Sequence, residues 1–456
     1  MSVPVRLAEA AAVVAAYLAC CGLLVWRRRA ARARSRRAAA GFAPAERGVE
    51  PLLIAFASQT GFAEQLAWQT ARALQAVGVP ARLRPLGELD AEDLAHATRV
   101  LFIVSTYGEG DAPDPAAGFV RRVMASGVDL ATLEYGLLAL GDRGYANFCG
   151  FGRRLDAWLV ARHAQPLFER VELDNADALA LRLWHTRLAA LAGQRDLPDW
   201  QLPAFETWPL NARRLLNEGS AGHPLFQLEL GAPPGARWEA GDLLQVLAPG
   251  DPARPREYSI ASLPADGALH LLVRQERPAT GEFGVASGWL TRTAAIGSGV
   301  QVQLRPNRNF RIDANVERPL LLIGNGSGFA GLRAHLKARA AQGASVRRPC
   351  WLLFGERHAA HDGYFADEIA AWRASGVLAH ADLVFSRDGP QPRYVQHALL
   401  AQRERLAAWL ADGVAIYVCG SLEGMAAGVD DALQTLLGAD ALRRLAEQGR
   451  YRRDVY

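Results

Sequence analysis

At 456 residues the chain has room for about three domains. Half of its residues are hydrophobic and 21% are charged, which excludes a wholly disordered chain. Its formal net charge of +4 is concentrated: Arg27, Arg28, Arg29, Arg32, Arg34, Arg36 and Arg37 leave a slightly acidic remainder, without the clustered basic footprint of a nucleic-acid partner. Lys337 is the only lysine, which excludes a Walker A loop.

The five cysteines are Cys20, Cys21, Cys149, Cys350 and Cys419. They form no C-x-x-C pair and no spaced framework, and a reducing compartment fits them best. No haem ligand set or metal-cluster motif is present, so no metal site is expected.

The first predicted element runs from Ala10 to Trp26, continuously apolar, with the arginine run directly after it. That is near the short limit of roughly 17–25 residues for a spanning helix. A cleaved signal peptide carries its charge ahead of the apolar stretch. The asymmetry therefore predicts a single-pass anchor over residues 1–37 in the inner (plasma) membrane, with the folded domains cytoplasmic. Residues 38–49 read as a linker.

Residues 50–192 follow as an α/β domain. LLIAFA (52–57) has the short apolar run of a buried parallel strand. The turn Ser58–Ala63 follows, and then a helical pattern through Ala76. Strand, hydroxyl-rich turn and helix start make an anion site, although such a turn serves equally as an ordinary helix cap. VLFIVS (100–105) leads into TYGEGD (106–111), and GLLALG (136–141) into DRGYANF (142–148). In a doubly wound sheet the loops at the carboxyl ends of such strands converge on one ligand. Tyr107 and Tyr145 are then placed to cover the two faces of a flat ring.

SQTGFAEQLA, STYGEGDAPD and LGDRGYANFCGFG resemble the FMN domain of the diflavin reductases, the family of the sulfite reductase flavoprotein and NADPH–cytochrome P450 reductase. The resemblance implies that Ser58, Gln59, Thr60, Gly61, Phe62 and Ala63 hold the FMN phosphate. It places Ser105, Thr106, Tyr107 and Gly108, with Leu140, Gly141, Asp142, Tyr145 and Phe148, around the isoalloxazine. Asp174 corresponds to an acidic residue near that site.

Residues 193–210, with Pro198, Pro203 and Pro209, read as a linker. Residues 211–314 hold short alternating runs, PLFQLELG (224–231) and DLLQVLA (242–248), which suit a β-barrel. REYSIAS (256–262) offers a guanidinium, a ring and a hydroxyl, and FGVASGWL (283–290) puts small residues ahead of a helix. Together they resemble the FAD site of the same family and of ferredoxin–NADP reductases. This implies FAD contacts from Arg256, Glu257, Tyr258, Ser259, Leu272, Val273 and Arg274, and from Gly284, Val285, Ala286 and Ser287. Glu257 replaces the usual hydrophobic residue. Gly241–Asp242 and Arg256 lie close together, so the helical connecting domain of the long family members is missing.

Residues 315–456 read as a second doubly wound sheet, from PLLLIGNGSGFAGLRAHL (319–336), CWLLFGER (350–357), LVFSRD (383–388) and AIYVCGS (415–421). Ser386–Arg387 suits a 2′-phosphate, which an arginine fork matches. SRD, RYVQ (393–396), YVCG (417–420) and the terminal RYRRDVY (450–456) are similar to the family's NADPH site. The resemblance implies Ser327, Ser386, Arg387, Arg393, Tyr394, Gln396 and Cys419 at NADPH. It implies Ser259, Cys419 and Asp454 around the nicotinamide as catalytic residues, and Tyr456 stacked on FAD. Ser421 and Gly428 stand where the family often carries acidic residues.

The expected fold is thus an α/β flavodoxin-like domain plus a ferredoxin–NADP reductase-like module, a β-barrel FAD domain and an α/β NADP domain, with one N-terminal transmembrane helix. The implied activity is that of an NADPH–haemoprotein reductase-type enzyme. Electrons run from NADPH to FAD to FMN and on to a separate acceptor, a redox protein or a membrane-associated metal or haem acceptor. Sulfite reductase flavoprotein-type or ferric-complex reduction is the alternative, and a flavin-binding redox sensor without turnover is the competing class. Glu109, Asp111 and Asp114 form an acidic rim that suits a basic acceptor, or equally a solvated loop.

Overall fold

The computed structural model describes residues 51–175, 177–198, 204–277, 281–343, 348–389 and 393–456. The expected anchor over residues 1–37 lies outside these residues. No described helix is long and apolar enough to cross a membrane.

The first domain is a six-stranded parallel sheet. Its strands are β1 (Leu52–Ala57), β2 (Ala81–Pro85), β3 (Arg99–Ser105), β4 (Glu134–Gly141), β5 (Gln165–Pro166) and β6 (Val171–Asp174). The order is β2-β1-β3-β4-β5, with β6 also beside β4. β1, β3 and β4 are buried on both faces, which explains their unbroken apolar runs. One core layer gathers Leu66, Trp184 and Leu188, and the opposite one Phe102, Phe119 and Phe151. The order reverses between β1 and β3. The turn after β1, which enters helix α1 (Phe62–Ala76), therefore meets the loop after β3 at one crevice.

The second domain is an antiparallel barrel of β7 (Glu206–Leu215), β8 (Leu225–Leu230), β9 (Leu243–Ala248), β10 (Asp251–Ser259), β11 (Leu269–Arg274) and β12 (Gly299–Arg305). Its order is β10-β9-β12-β7-β8-β11, and an Ile260–Leu271 bridge joins the two ends. β7 begins inside the stretch expected as linker up to residue 210. Pro209 is tolerated because it is the last residue paired with β12, opposite Gly299, just ahead of the ladder shift between Leu210 and Ala212. A proline at such a shift looks the same in sequence as one in a linker.

The third domain is a five-stranded parallel sheet. It comprises β13 (Leu320–Asn325), β14 (Cys350–Glu356), β15 (Leu378–Phe385), β16 (Ala415–Gly420) and β17 (Tyr451–Val455), ordered β15-β14-β13-β16-β17. Its switch point lies between β13 and β16. Gly328, in the turn after β13, comes so close to β16 that an added Cβ would stand 2.1 Å from the Cys419 carbonyl oxygen. Only glycine allows that approach.

Candidate functional site

Three loops surround the first crevice. Ser58 Oγ accepts from the Ala63 N–H at 3.2 Å, and Ser105 Oγ accepts from the Gln59 N–H at 3.2 Å. Gly61 takes φ +89°, which turns the chain sharply into α1 and sets the N-terminal end of that helix at the crevice. Thr106 donates its backbone N–H to the Leu140 carbonyl and binds the Phe151 N–H through its hydroxyl, which ties the second loop to the third. Tyr107 is partly buried, with no partner for its hydroxyl among the described residues, while Tyr145 is 40% exposed. Phe148 lies under the Arg143 guanidinium at 4.8 Å. Asp174 pairs with Gly141 across the sheet and accepts from the Arg143 N–H at 3.2 Å, beside the third loop. Tight turn, aromatic ring and second ring fit a flavin mononucleotide.

The expected acidic rim is corrected at one position. Asp114 is not free for a partner protein: the Arg453 guanidinium binds it through two nitrogens, Nε at 3.2 Å. Gln59 closes the group, donating to Asp114 Oδ2 at 3.1 Å and accepting from the Asp114 N–H at 2.9 Å. This contact joins the first domain to the third.

The second crevice lies at the end of the barrel. β9 and β10 run side by side from Arg256–Val246 to Ser259–Leu243. Tyr258 packs beside the barrel core. Arg256 donates to the Arg254 carbonyl at 2.7 Å and pairs with Asp251 at 3.3 Å, at the start of the stretch that runs to Ser259. The turn Val285–Gly288 packs against β10, and Ser287 Oγ accepts from the Glu276 N–H at 3.1 Å. Leu272 and Val273 are buried in β11. The departure at Glu257 is absorbed by Gln245, which donates to it at 3.0 Å. Arg274 faces away from this crevice. It pairs with Glu356 at 2.6 Å, donates to the His223 carbonyl, and lines the cavity that Ser327 and Tyr456 also line.

Ser259, Cys419 and Asp454 meet where the barrel abuts the third domain. Ser259 Oγ donates to Asp454 Oδ2 at 2.7 Å, and Cys419 Sγ approaches the same oxygen at 3.7 Å. Cys419 and Asp454 are register partners on β16 and β17. Burial drives the Asp454 carboxyl up to about 6 and the Cys419 thiol well above its usual value. At neutral pH the pair is therefore a carboxylate held by one hydroxyl and a thiol that keeps its proton.

A cavity of about 750 Å³ opens beside them. Ser327, Ser386, Arg387, Arg393, Tyr394 and Gln396 all line it, as does the C-terminal Tyr456. Tyr456 is 53% exposed and donates its hydroxyl to Ser327 Oγ at 3.0 Å. The departure at Gly428 makes room for Gln396: a Cβ there would meet its amide nitrogen at 2.7 Å. Ser421 instead donates its N–H to Asn325 Oδ1 at 3.0 Å. Tyr364, whose hydroxyl joins Glu356 at 2.7 Å and the Gly326 carbonyl at 2.9 Å, was not singled out from sequence. It lies outside every motif, and nothing local marks it.

Residues 54–184 match the flavodoxin family and residues 322–431 match the oxidoreductase NAD-binding domain family. The sulfite reductase [NADPH] flavoprotein alpha-component of Vibrio cholerae serotype O1 is 28% identical, covering 89% of this chain and 87% of its own. That of Shewanella sp. (strain MR-7) is also 28% identical, over 89% and 90%. The chain resembles the diflavin reductases along most of its length. FMN, FAD and NADPH are the cofactors of this architecture, and each has a crevice or cavity here. The alignment with the Vibrio protein spans 540 positions, more than the 456 residues of this reductase, so the relative carries segments that this chain lacks.

Proposed function

We propose that the protein is an NADPH-dependent diflavin reductase that passes electrons one at a time to a separate acceptor. The observation that carries this reading is β17. Asp454 faces the hydride site with Ser259 and Cys419, while its neighbour Arg453 holds the FMN-side Asp114. One strand thus brings a two-electron site and a one-electron site together. NADPH delivers hydride and a flavin releases single electrons; that chemistry belongs to the bound groups. The chain's own work is to bind, orient and exclude water. Ser386, Arg387 and Arg393 select the phosphorylated coenzyme. Asp454 supports positive charge that develops beside it, and Tyr456 guards the flavin face until nicotinamide displaces it.

Stopped-flow mixing with NADPH tests this directly. Both flavins should be reduced on a catalytic timescale, and absence of reduction would favour the redox-sensor reading. A haemoprotein is the proposed acceptor, with sulfite reductase haemoprotein and a ferric complex as alternatives. Cytochrome c, sulfite-coupled and ferric assays separate them. The proposed location is a membrane surface, through a single span in residues 1–37 with the reductase on the cytoplasmic side. Its support is the apolar run and the arginines that follow it. Protease protection in membrane vesicles checks the orientation.

A further inference from the structure

Arg305 ends β12 in the barrel domain, yet its side chain is taken up with the flavodoxin domain. It is 3% exposed, and its Nη2 has no hydrogen-bond partner among the described residues. Its guanidinium carbon lies 4.6 Å from the centre of the Phe62 ring, the first residue of α1. Among the described residues, Glu257 is the carboxylate that acts on it, and that group is bound to Gln245. Burial lowers the guanidinium from its ordinary value. A buried cation that no described carboxylate binds directly is costly, and an aromatic face offsets only part of that cost.

The surroundings name the missing anion. Pro306 sets its carbonyl oxygen 2.7 Å from where a Cβ on Gly61 would stand. Asn309 donates its amide to the Ser58 and Gln59 carbonyls at 2.6 and 2.8 Å, and Arg308 pairs with Glu64 at 3.1 Å. Residues 305–309 of the barrel domain therefore wrap the phosphate turn of the flavodoxin domain. We propose that Arg305 is a ligand of the FMN phosphate supplied across the domain boundary, completing a site that the flavodoxin domain only half builds. This rests on the assignment of FMN to Ser58–Ala63. Its consequence is that FMN occupancy and domain docking stabilise each other, since a dianion shared by two domains binds the docked form better.

The test uses the FAD-loaded chain stripped of FMN, titrated separately with FMN and with riboflavin, which lacks the phosphate. Arg305→Leu should weaken FMN roughly tenfold or more, the range of a charge-assisted hydrogen bond, and leave riboflavin within about twofold. Arg305→Gln, uncharged and polar, carries the same measurement if the leucine variant does not fold. Equal losses for both ligands would make Arg305 a packing residue and overturn the proposal, as would an unchanged FMN affinity. Failure of the unmodified chain to bind FMN would instead remove the FMN assignment itself.

Discussion

Asp454 is under opposed demands. Its carboxyl is raised to about 6 by burial, above the value of about 4 for a free aspartate. A raised carboxyl contributes stability that is present below the unfolded value and lost as pH climbs through about 6. Ionised Asp454 therefore weakens the fold at neutral pH while serving the coenzyme. Asp454→Asn should stabilise the protein by on the order of 2 kcal/mol at pH 7.5, seen as a higher Tm. The same change should slow flavin reduction by NADPH about 10- to 100-fold and remove the acid limb near pH 6 from the pH–rate profile. Retention of that limb would mean another group titrates. Tyr456→Ala, which removes the ring beside Ser327, should raise the use of NADH relative to NADPH; kcat/KM for both coenzymes measures it. The terminal motif marked these residues. Arg305 and Asn309 were not marked, because a β-strand end and a loop asparagine show their purpose only when another domain lies against them.

At the scale of elements, β17 is the hinge of the design. Successive strand residues point to opposite faces. Asp454 accordingly reaches the barrel while Arg453 reaches the flavodoxin domain, between the Tyr107 and Tyr451 rings at 5.5 and 5.6 Å. Arg453→Ala should leave flavin reduction by NADPH within about threefold but slow cytochrome c reduction more strongly. Asp114→Asn should do the same, and the double variant should be no worse than either alone, the signature of one coupled pair. Additive losses would show two independent roles. The strands that carry chemistry were legible because burial on both faces forces unbroken apolar runs. β7 was not, because a proline at a ladder shift breaks the pattern that reveals a strand.

For the whole molecule, the proposal of an N-terminal anchor predicts that it can be separated from the three described domains. Deleting residues 1–37 should yield a soluble protein that still reduces an artificial acceptor with NADPH. Loss of NADPH oxidation would make that segment part of the fold. A second global property concerns acid. Burial against Phe310 and Tyr417 pushes the His335 imidazole down to about 3. A depressed imidazole contributes stability above about pH 6.5 that is lost as pH falls toward 3. His335→Leu should therefore flatten the decline of Tm between those values.

Local order is what the sequence determined by itself: the strand–turn–helix units, the glycine turns and the cofactor motifs. Each depends on residues within a few positions of one another, which one-dimensional spacing records. The tertiary structure alone decided how the domains share their sites. It committed Asp114 to Arg453 and not to an acceptor rim, paired Arg274 with Glu356, and set Arg305 against Phe62. Those outcomes depend on which charged groups lose their water when surfaces far apart in the chain meet. Their spacing in the chain carries no trace of that.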